Sequence, residues 1–180
     1  MPPQAALLAE DATILRMFPP LRACWAWRGE QAIVPITGQN DRRVLFGAIN
    51  LRTGRRVTLR RGKMGQADFQ THLRQLRRRY GRRPLWLLLD KARCQDCPSS
   101  RQLAAELAVT LVWLPKQCPE LNPMDHLWRE EKCKISANRQ YKTITQHAQQ
   151  AEQWLLGLSN RQALRKAGLL SPNSWLRTVL

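Results

Sequence analysis

Short apolar or alternating runs, which are typical of β-strands, alternate in the second half of the chain with segments of helical spacing. The strand-like runs cover residues 5–9, 31–36, 43–50, 55–60, 84–89 and 109–114. The last two are apolar almost throughout, which is typical of strands buried on both faces of a sheet. A turn at residues 52–54 predicts that the third and fourth runs form a hairpin.

Helical periodicity starts at Phe69, because apolar side chains recur from there at spacings of four, three and four residues up to Tyr80. Gly81 ends this helix. Further helices are predicted at residues 99–108, 123–135, 144–158 and 161–167. We expect the tail to pack back onto the domain through Trp175 and Leu176. The order of strands and helices predicts an α/β fold, with a mixed sheet flanked by helices.

The charge balance indicates what kind of partner the protein binds. The 180 residues fit one domain, and 30 Lys and Arg against 13 Asp and Glu leave a net charge of +17. Such an excess indicates a polyanionic partner, most simply nucleic acid. No apolar stretch approaches the roughly 18 residues of a membrane span, and no signal peptide opens the chain. We therefore expect a cytoplasmic protein that has no membrane partner.

The five cysteines are odd in number and scattered, which favours reduced thiols over a disulfide framework. Cys94 and Cys97 form one CxxC pair. A structural zinc site needs two further ligands, and no other Cys or His has a convincing spacing. The sequence therefore disfavours zinc.

Three acidic residues stand at positions where chemistry can be placed. Asp11 closes the first predicted strand, Asp90 closes the apolar strand 84–89, and Asp125 opens a helix. Ligands of open sheets gather beyond the carboxyl ends of parallel strands. Three carboxylates there repel one another and favour bound Mg²⁺ or Mn²⁺. Two such ions about 4 Å apart are suited to phosphodiester chemistry.

Each acid also has a structural interpretation. Asp11 can be a turn residue at a strand end, and Asp90 a structural residue of the next loop. Asp125 follows Asn122, a good helix cap, and falls at the third helical position, where an acid can bond back to the cap and favours the helix dipole. The basic residues that we expect to contact DNA are Arg74, Arg77, Arg78, Lys91, Lys116, Arg129 and Lys132. The arginine runs can equally form a solvated face.

One segment, residues 111–132, closely resembles the signature of bacterial insertion-sequence transposases of the mariner superfamily. The matching residues are Leu114-Pro115, Cys118-Pro119, Leu121-Asn122-Pro123 and Asp125. The family's second acid ends an apolar strand, and Leu89-Asp90-Lys91-Ala92 matches it here. Asp90 and Asp125 have 34 residues between them, the spacing of one branch of this family. Asp11-Ala12 occupies the place of the first acid, and residues 18–31 and 44–54 resemble the family's second and third strands.

The resemblance implies a ribonuclease-H-like fold in which Asp11, Asp90 and Asp125 form a DDE-type triad that holds two Mg²⁺ ions. It implies strand hydrolysis at the ends of a mobile element, followed by attack of the freed 3′ hydroxyl on target DNA. The implied partners are element-end DNA, target DNA and a second copy of the chain. The implied catalytic domain covers residues 1–180, without the family's N-terminal helix-turn-helix region, which we expect to be encoded as a separate half.

The chain departs from the family pattern at four positions. Lys91 stands where the family usually has Asn, Gln95 where it often has His, Ala12 for Glu and Cys118 for Ser. Two other hypotheses therefore stay open. One is a catalytically decayed, basic DNA-binding remnant with the same fold. The other is a basic RNA-associated structural protein, against which the apolar strands and the 111–132 motif both count.

Overall fold

The structure, a computed structural model, describes residues 4–178 and has a five-stranded sheet at its centre. The strands are β1 (Ala6–Arg16), β2 (Arg42–Asn50), β3 (Arg56–Arg61), β4 (Leu85–Leu89) and β5 (Val109–Trp113). Their order across the sheet is β3-β2-β1-β4-β5. The three N-terminal strands pair antiparallel, whereas β4 lies parallel to both β1 and β5. The predicted mixed sheet is confirmed.

Five helices cover the two faces of this sheet. They are α1 (Gln66–Tyr80), α2 (Pro98–Glu106), α3 (Pro123–Glu131), α4 (Ile144–Gly157) and α5 (Asn160–Lys166). A π-helical turn (Lys132–Ser136) extends α3, and 3₁₀ turns cover Pro119–Leu121 and Trp175–Thr178. Apolar residues of α1 and α2 form one core with the sheet, and those of α3, α4 and α5 form a second core on its other face.

Strand β1 shows why both faces are covered. Its side chains alternate between the two cores, so Leu7 and Ala9 face α3 and α4 while Leu8 faces α1. All three are at most 5% exposed. The continuous apolar run of β4 is divided in the same way, as a strand covered on both faces requires.

Two predictions are wrong. Residues 31–36 form no strand, and no regular element lies between Met17 and Asp41. Ile33 is 82% exposed and the segment packs into neither core, so its apolar side chains gain no burial by joining an edge of the sheet. The first strand also continues far beyond residue 9, because β2 pairs with it up to Arg16. Asp11 therefore lies within β1 and does not close it.

The tail packs back as expected. Leu176 is buried in the core under α3 and α4, and the indole of Trp175 donates to the carbonyl of Leu121. Among residues 4–178, no helix is both long and apolar enough to cross a lipid bilayer.

Candidate active site

The register between β1 and β4 brings Asp11 and Asp90 side by side. The parallel ladder ends at Ala9 with Leu88, and Asp90 directly follows the last residue of β4. Asp11 lies two residues beyond Ala9 on β1, on the face that α3 covers. The two acids are therefore neighbours at the end of the ladder, and the charge of Asp90 acts on Asp11. Gly47 of β2 pairs with Asp11.

Asp125 reaches the same region from the first turn of α3. The side chain of Asn122 caps this helix by accepting from the Met124 N–H at 3.0 Å. The Asp125 carboxylate makes no capping bond to the Asn122 N–H, which donates to the Pro119 carbonyl instead. Its carboxylate pairs with Arg129, with Nη2 and Oδ2 2.7 Å apart. Asp125 therefore does not have the capping role that the sequence left open for it.

The three carboxylates influence one another electrostatically. Burial, together with the charges of Asp90 and Asp125, raises the pKa of Asp11 to about 7, against the lowering effects of a backbone hydrogen bond from Ala12 and of the Lys132 charge. The pKa of Asp90 is also raised, first by burial and then by Asp125, against a lowering hydrogen bond from Asn122. Like charges that share a site disfavour ionisation of each, and a bound cation relieves this repulsion.

The donor set suits a hard divalent cation. It consists of carboxylate oxygens, and Oδ1 of Asp90 is buried without a hydrogen-bond partner. However, within the part of the chain that the structure describes, no three His, Cys, Asp or Glu side chains lie close enough together to hold a metal ion. The acids share one electrostatic environment but are not drawn together into a ligand cluster.

A buried acid next to the site was missed by sequence reasoning. Glu10 points to the opposite face of β1, is 0% exposed, and accepts from the Gln95 side chain at 2.7 Å. Burial raises the pKa of Glu10 well above its usual range. The Asn122 side-chain amide donates to the backbone carbonyl of Glu10 at 3.0 Å. These bonds tie the loop after β4 and the start of α3 to β1. The signal in the sequence was an acid within an apolar strand.

Four of the expected DNA-contacting residues belong to loops or helices around the acids. Lys132 lies near enough to Asp11 to lower its pKa. Arg129 pairs with Asp125, and its side chain is 54% exposed. Lys91 directly follows Asp90, and Lys116 lies in the loop after β5; both are exposed.

The three arginines of α1 are placed differently. The first turn of α1 lies near the start of α2, where Gln66 donates to Ser99, and its last turn lies at the other end of the sheet. There Arg77 donates to the carbonyls of Arg83 and Leu107, which precede β4 and β5. Arg78 is exposed at the same distant end, and Arg74 is exposed one turn earlier. The structure therefore brings neither Arg77 nor Arg78 to the acids.

Comparison with known proteins agrees with this architecture. The family model described as DDE superfamily endonuclease matches residues 7–147. An insertion element IS630 uncharacterized 39 kDa protein of Shigella sonnei is 25% identical over 139 residues, which are 76% of this chain and 40% of that protein. The chain thus spans less than half the length of this relative.

Solved structures of the Mos1 transposase are similar in fold. The pre-cleavage Mos1 transpososome superposes with a TM-score of 0.72 at 15% identity, over 97% of this chain and 55% of that one. The Mos1 catalytic domain with Raltegravir and Mg gives a TM-score of 0.63 at 14% identity, over 97% and 82%. This likeness confirms the ribonuclease-H-like fold predicted from the sequence.

Proposed function

Because the chain belongs to the DDE superfamily endonucleases, we propose that it acts as a transposase catalytic domain that cleaves DNA and transfers the freed strand end. The observation that carries this proposal is the electrostatic interaction of Asp11, on β1, with Asp90, which follows the parallel strand β4, and with Asp125 of α3. Three acids that influence one another in a very basic domain support the proposal. Mos1 complexes with transposon-end DNA have the same fold, which supports DNA as the substrate.

We propose that Asp11, Asp90 and Asp125 hold two Mg²⁺ or Mn²⁺ ions. Mos1 paired-end complexes with Mn and with Mg support this choice of ion. Such ions supply activation of a water or hydroxyl nucleophile and stabilisation of the leaving oxygen. The chain itself supplies the anionic oxygens. Asp11 must lose its proton, and Asp125 must exchange Arg129 for the cation.

The neighbouring cations have a complementary role. Lys132 beside Asp11 and Lys91 beside Asp90 can contact the phosphates that flank the cleaved bond. Arg129, once released from Asp125, provides a third positive group. Phosphate contacts of this kind position the strand without reading its sequence. Lys116 extends the basic rim on the β5 side.

We further propose the order of reaction and the partners. Water attacks first at the element end, and the freed 3′ hydroxyl then attacks target DNA. The domain acts as a homodimer on element-end DNA and target DNA.

The triad is tested by Asp→Asn substitution at positions 11, 90 and 125, with cleavage of an element-end duplex measured in Mg²⁺ or Mn²⁺. Each change removes a charged oxygen ligand, so we expect cleavage to fall by at least about 10²-fold. Asp41→Asn, which changes an exposed acid in the segment between β1 and β2, is the matched control and should retain activity. Retained cleavage in Asp90→Asn would refute the triad.

The decayed remnant is the second candidate, and a specific observation favours it: Lys91 places a cation next to Asp90. It predicts salt-sensitive DNA binding without cleavage. A calorimetric Mn²⁺ titration of the chain and of Asp90→Ala, with and without DNA, separates the two. Binding that Asp90→Ala abolishes supports the catalytic domain, and no binding to either form under both conditions supports the remnant.

A further inference from the structure

A buried polar cluster lies just beyond α3, outside the three acids. The hydroxyl of Ser136, the last residue of the π-helical turn, is 2.7 Å from Oε1 of Glu131 and 2.7 Å from Nε2 of His147. All three residues are at most 3% exposed. Burying polar groups is costly unless each finds a partner. π-Helical turns, such as the one that ends at Ser136, often mark functional sites.

The protons in this cluster follow from burial. Burial lowers the pKa of His147, so its ring is neutral at pH 7 and carries one N–H. Ser136 has a single hydroxyl proton, which it donates to the carboxylate of Glu131. A second hydrogen bond joins the Ser136 oxygen to Nε2 of this ring, so the cluster connects His147 through Ser136 to Glu131.

The cluster fixes the π-helical turn to α4. His147 belongs to α4, whereas Glu131 directly precedes the turn and Ser136 is its last residue. A second attachment lies beside it. The hydroxyl of Tyr141 donates to the carbonyl of Ile135 at 2.9 Å, and its ring stacks on His147 with centroids 4.5 Å apart. The turn is thus held at its start and at its last two residues.

Lys132 is the first residue of this turn and directly follows Glu131. Its charge acts on Asp11 across the site. Lys132, Ser136 and His147 also line one open cavity of about 330 Å³, bordered by the end of β1. Lys132 and the buried cluster are therefore joined through a single turn of backbone.

We propose that the Glu131–Ser136–His147 cluster is a positioning device that holds Lys132 beside Asp11, where its ammonium group meets a phosphate oxygen of the bound DNA strand. This inference rests on the proposed function, and it deepens it by naming residues that act through Lys132. The cluster touches neither DNA nor cation. A cluster that served stability alone would have no specific connection with Lys132.

A double-mutant cycle on the full chain tests the connection. Ser136→Ala removes the bridging hydroxyl, and we expect cleavage to fall about tenfold, as for loss of a positioned cation. In a Lys132→Ala background the same substitution should cause no further loss. Equal losses in both backgrounds would overturn the proposal. His147→Gln, whose amide can still donate to Ser136, should retain most activity.

A second readout needs no cleavage, and so separates failure of this inference from failure of the proposed function. The rate of acylation of each lysine is measured by mass spectrometry on the metal-free, DNA-free chain. Ser136→Ala should change the rate at Lys132 several-fold and leave Lys116 unchanged. Thr143→Ala, which removes the side-chain cap of α4, is the control for a merely destabilised α4 and should leave Lys132 unchanged. An unchanged Lys132 rate in Ser136→Ala overturns the inference.

Discussion

Burial of the Asp11 carboxylate destabilises the folded chain when this carboxylate is ionised. The residue lies within β1, paired with β2 and β4, where water cannot fully solvate its carboxylate. Its pKa of about 7 means that the folded state binds a proton more tightly than the unfolded chain does. The stability that protonated Asp11 contributes is therefore complete below about pH 4 and is lost as the pH rises through 7. In the proposed function, a bound cation takes the place of this proton.

We accordingly expect Asp11→Asn to stabilise the metal-free chain at high pH alone. A pKa raised by about three units corresponds to roughly 4 kcal/mol, and partial solvation reduces this to about 2–4 kcal/mol at pH 8. At pH 4 the variant and the parent should unfold at the same urea concentration. Urea unfolding in EDTA at both pH values measures this, with Asp41→Asn as the control. Equal stabilisation at both pH values would contradict the assignment.

Glu10 and Gln95 show how a neighbour can support the site without belonging to it. Their hydrogen bond lies on the face opposite Asp11, and it holds the loop that follows Asp90. The side-chain oxygen Oε1 of Gln95 also accepts from the Ala92 N–H at 3.2 Å. Where related transposases often have His, Gln95 thus has a definite structural partner. This departure from the family pattern is no sign of decay in itself.

The start of α3 is the element on which the third acid depends. Asn122 is 0% exposed and uses both ends of its amide, since the oxygen caps α3 and the nitrogen reaches the Glu10 carbonyl on β1. A residue with these two bonds sets both the start and the direction of the helix. These two bonds therefore also fix the position of Asp125, which lies three residues later in the helix.

We therefore expect Asn122→Ala to lower the free energy of unfolding by about 2–3 kcal/mol, because a cap and a buried hydrogen bond are both lost. It should also reduce cleavage, because α3 is no longer held to β1. Ser159→Ala, which removes the cap of α5, should cost about 1 kcal/mol and leave cleavage unchanged. Urea unfolding and cleavage rates of the two variants decide this. Cleavage that falls equally in both would show a general effect of stability.

The fold determines where the basic residues behind the net charge of +17 lie on the surface. The positive residues at the acid end of the sheet are available to DNA. At the other end of the sheet, by contrast, the guanidinium of Arg77 donates hydrogen bonds to backbone carbonyls and holds the starts of β4 and β5. Arg77 is therefore a structural residue, whatever its neighbours contact.

Binding to duplex DNA should depend steeply on salt. With about six phosphate contacts, affinity should fall roughly 10³-fold between 50 and 200 mM salt. Lys132→Ala should weaken binding and reduce the slope of log affinity against log salt by about one. Arg78→Ala, at the far end of the sheet, is the matched control and should leave the slope unchanged. Titrations with a labelled duplex over this salt range measure both, and a larger effect of Arg78→Ala would place the DNA elsewhere.

Local patterns were enough to predict much of this protein. The apolar runs that became β4 and β5, the spacing that became α1, and the motif around Asp125 depend on residues close together in the chain. Burial on both faces of a sheet demands continuous apolar residues, and helix starts demand particular caps, so these elements are legible in the sequence. The mixed sheet flanked by helices followed from their order, and the ribonuclease-H-like fold followed from the family resemblance that the motif carries.

Pairing decided what the pattern could not. Residues 31–36 have the pattern of a strand, but they pack into neither core and pair with nothing. The length of β1 depends on β2, and the approach of Asp90 to Asp11 depends on the parallel pairing of their strands. The bonds of Glu10 to Gln95 and of Arg77 to Leu107 join residues far apart in the chain, and the cluster around Ser136 joins two helices. Hydrogen-bond registers and buried charges are properties of partners, and only the folded chain determines which partners meet.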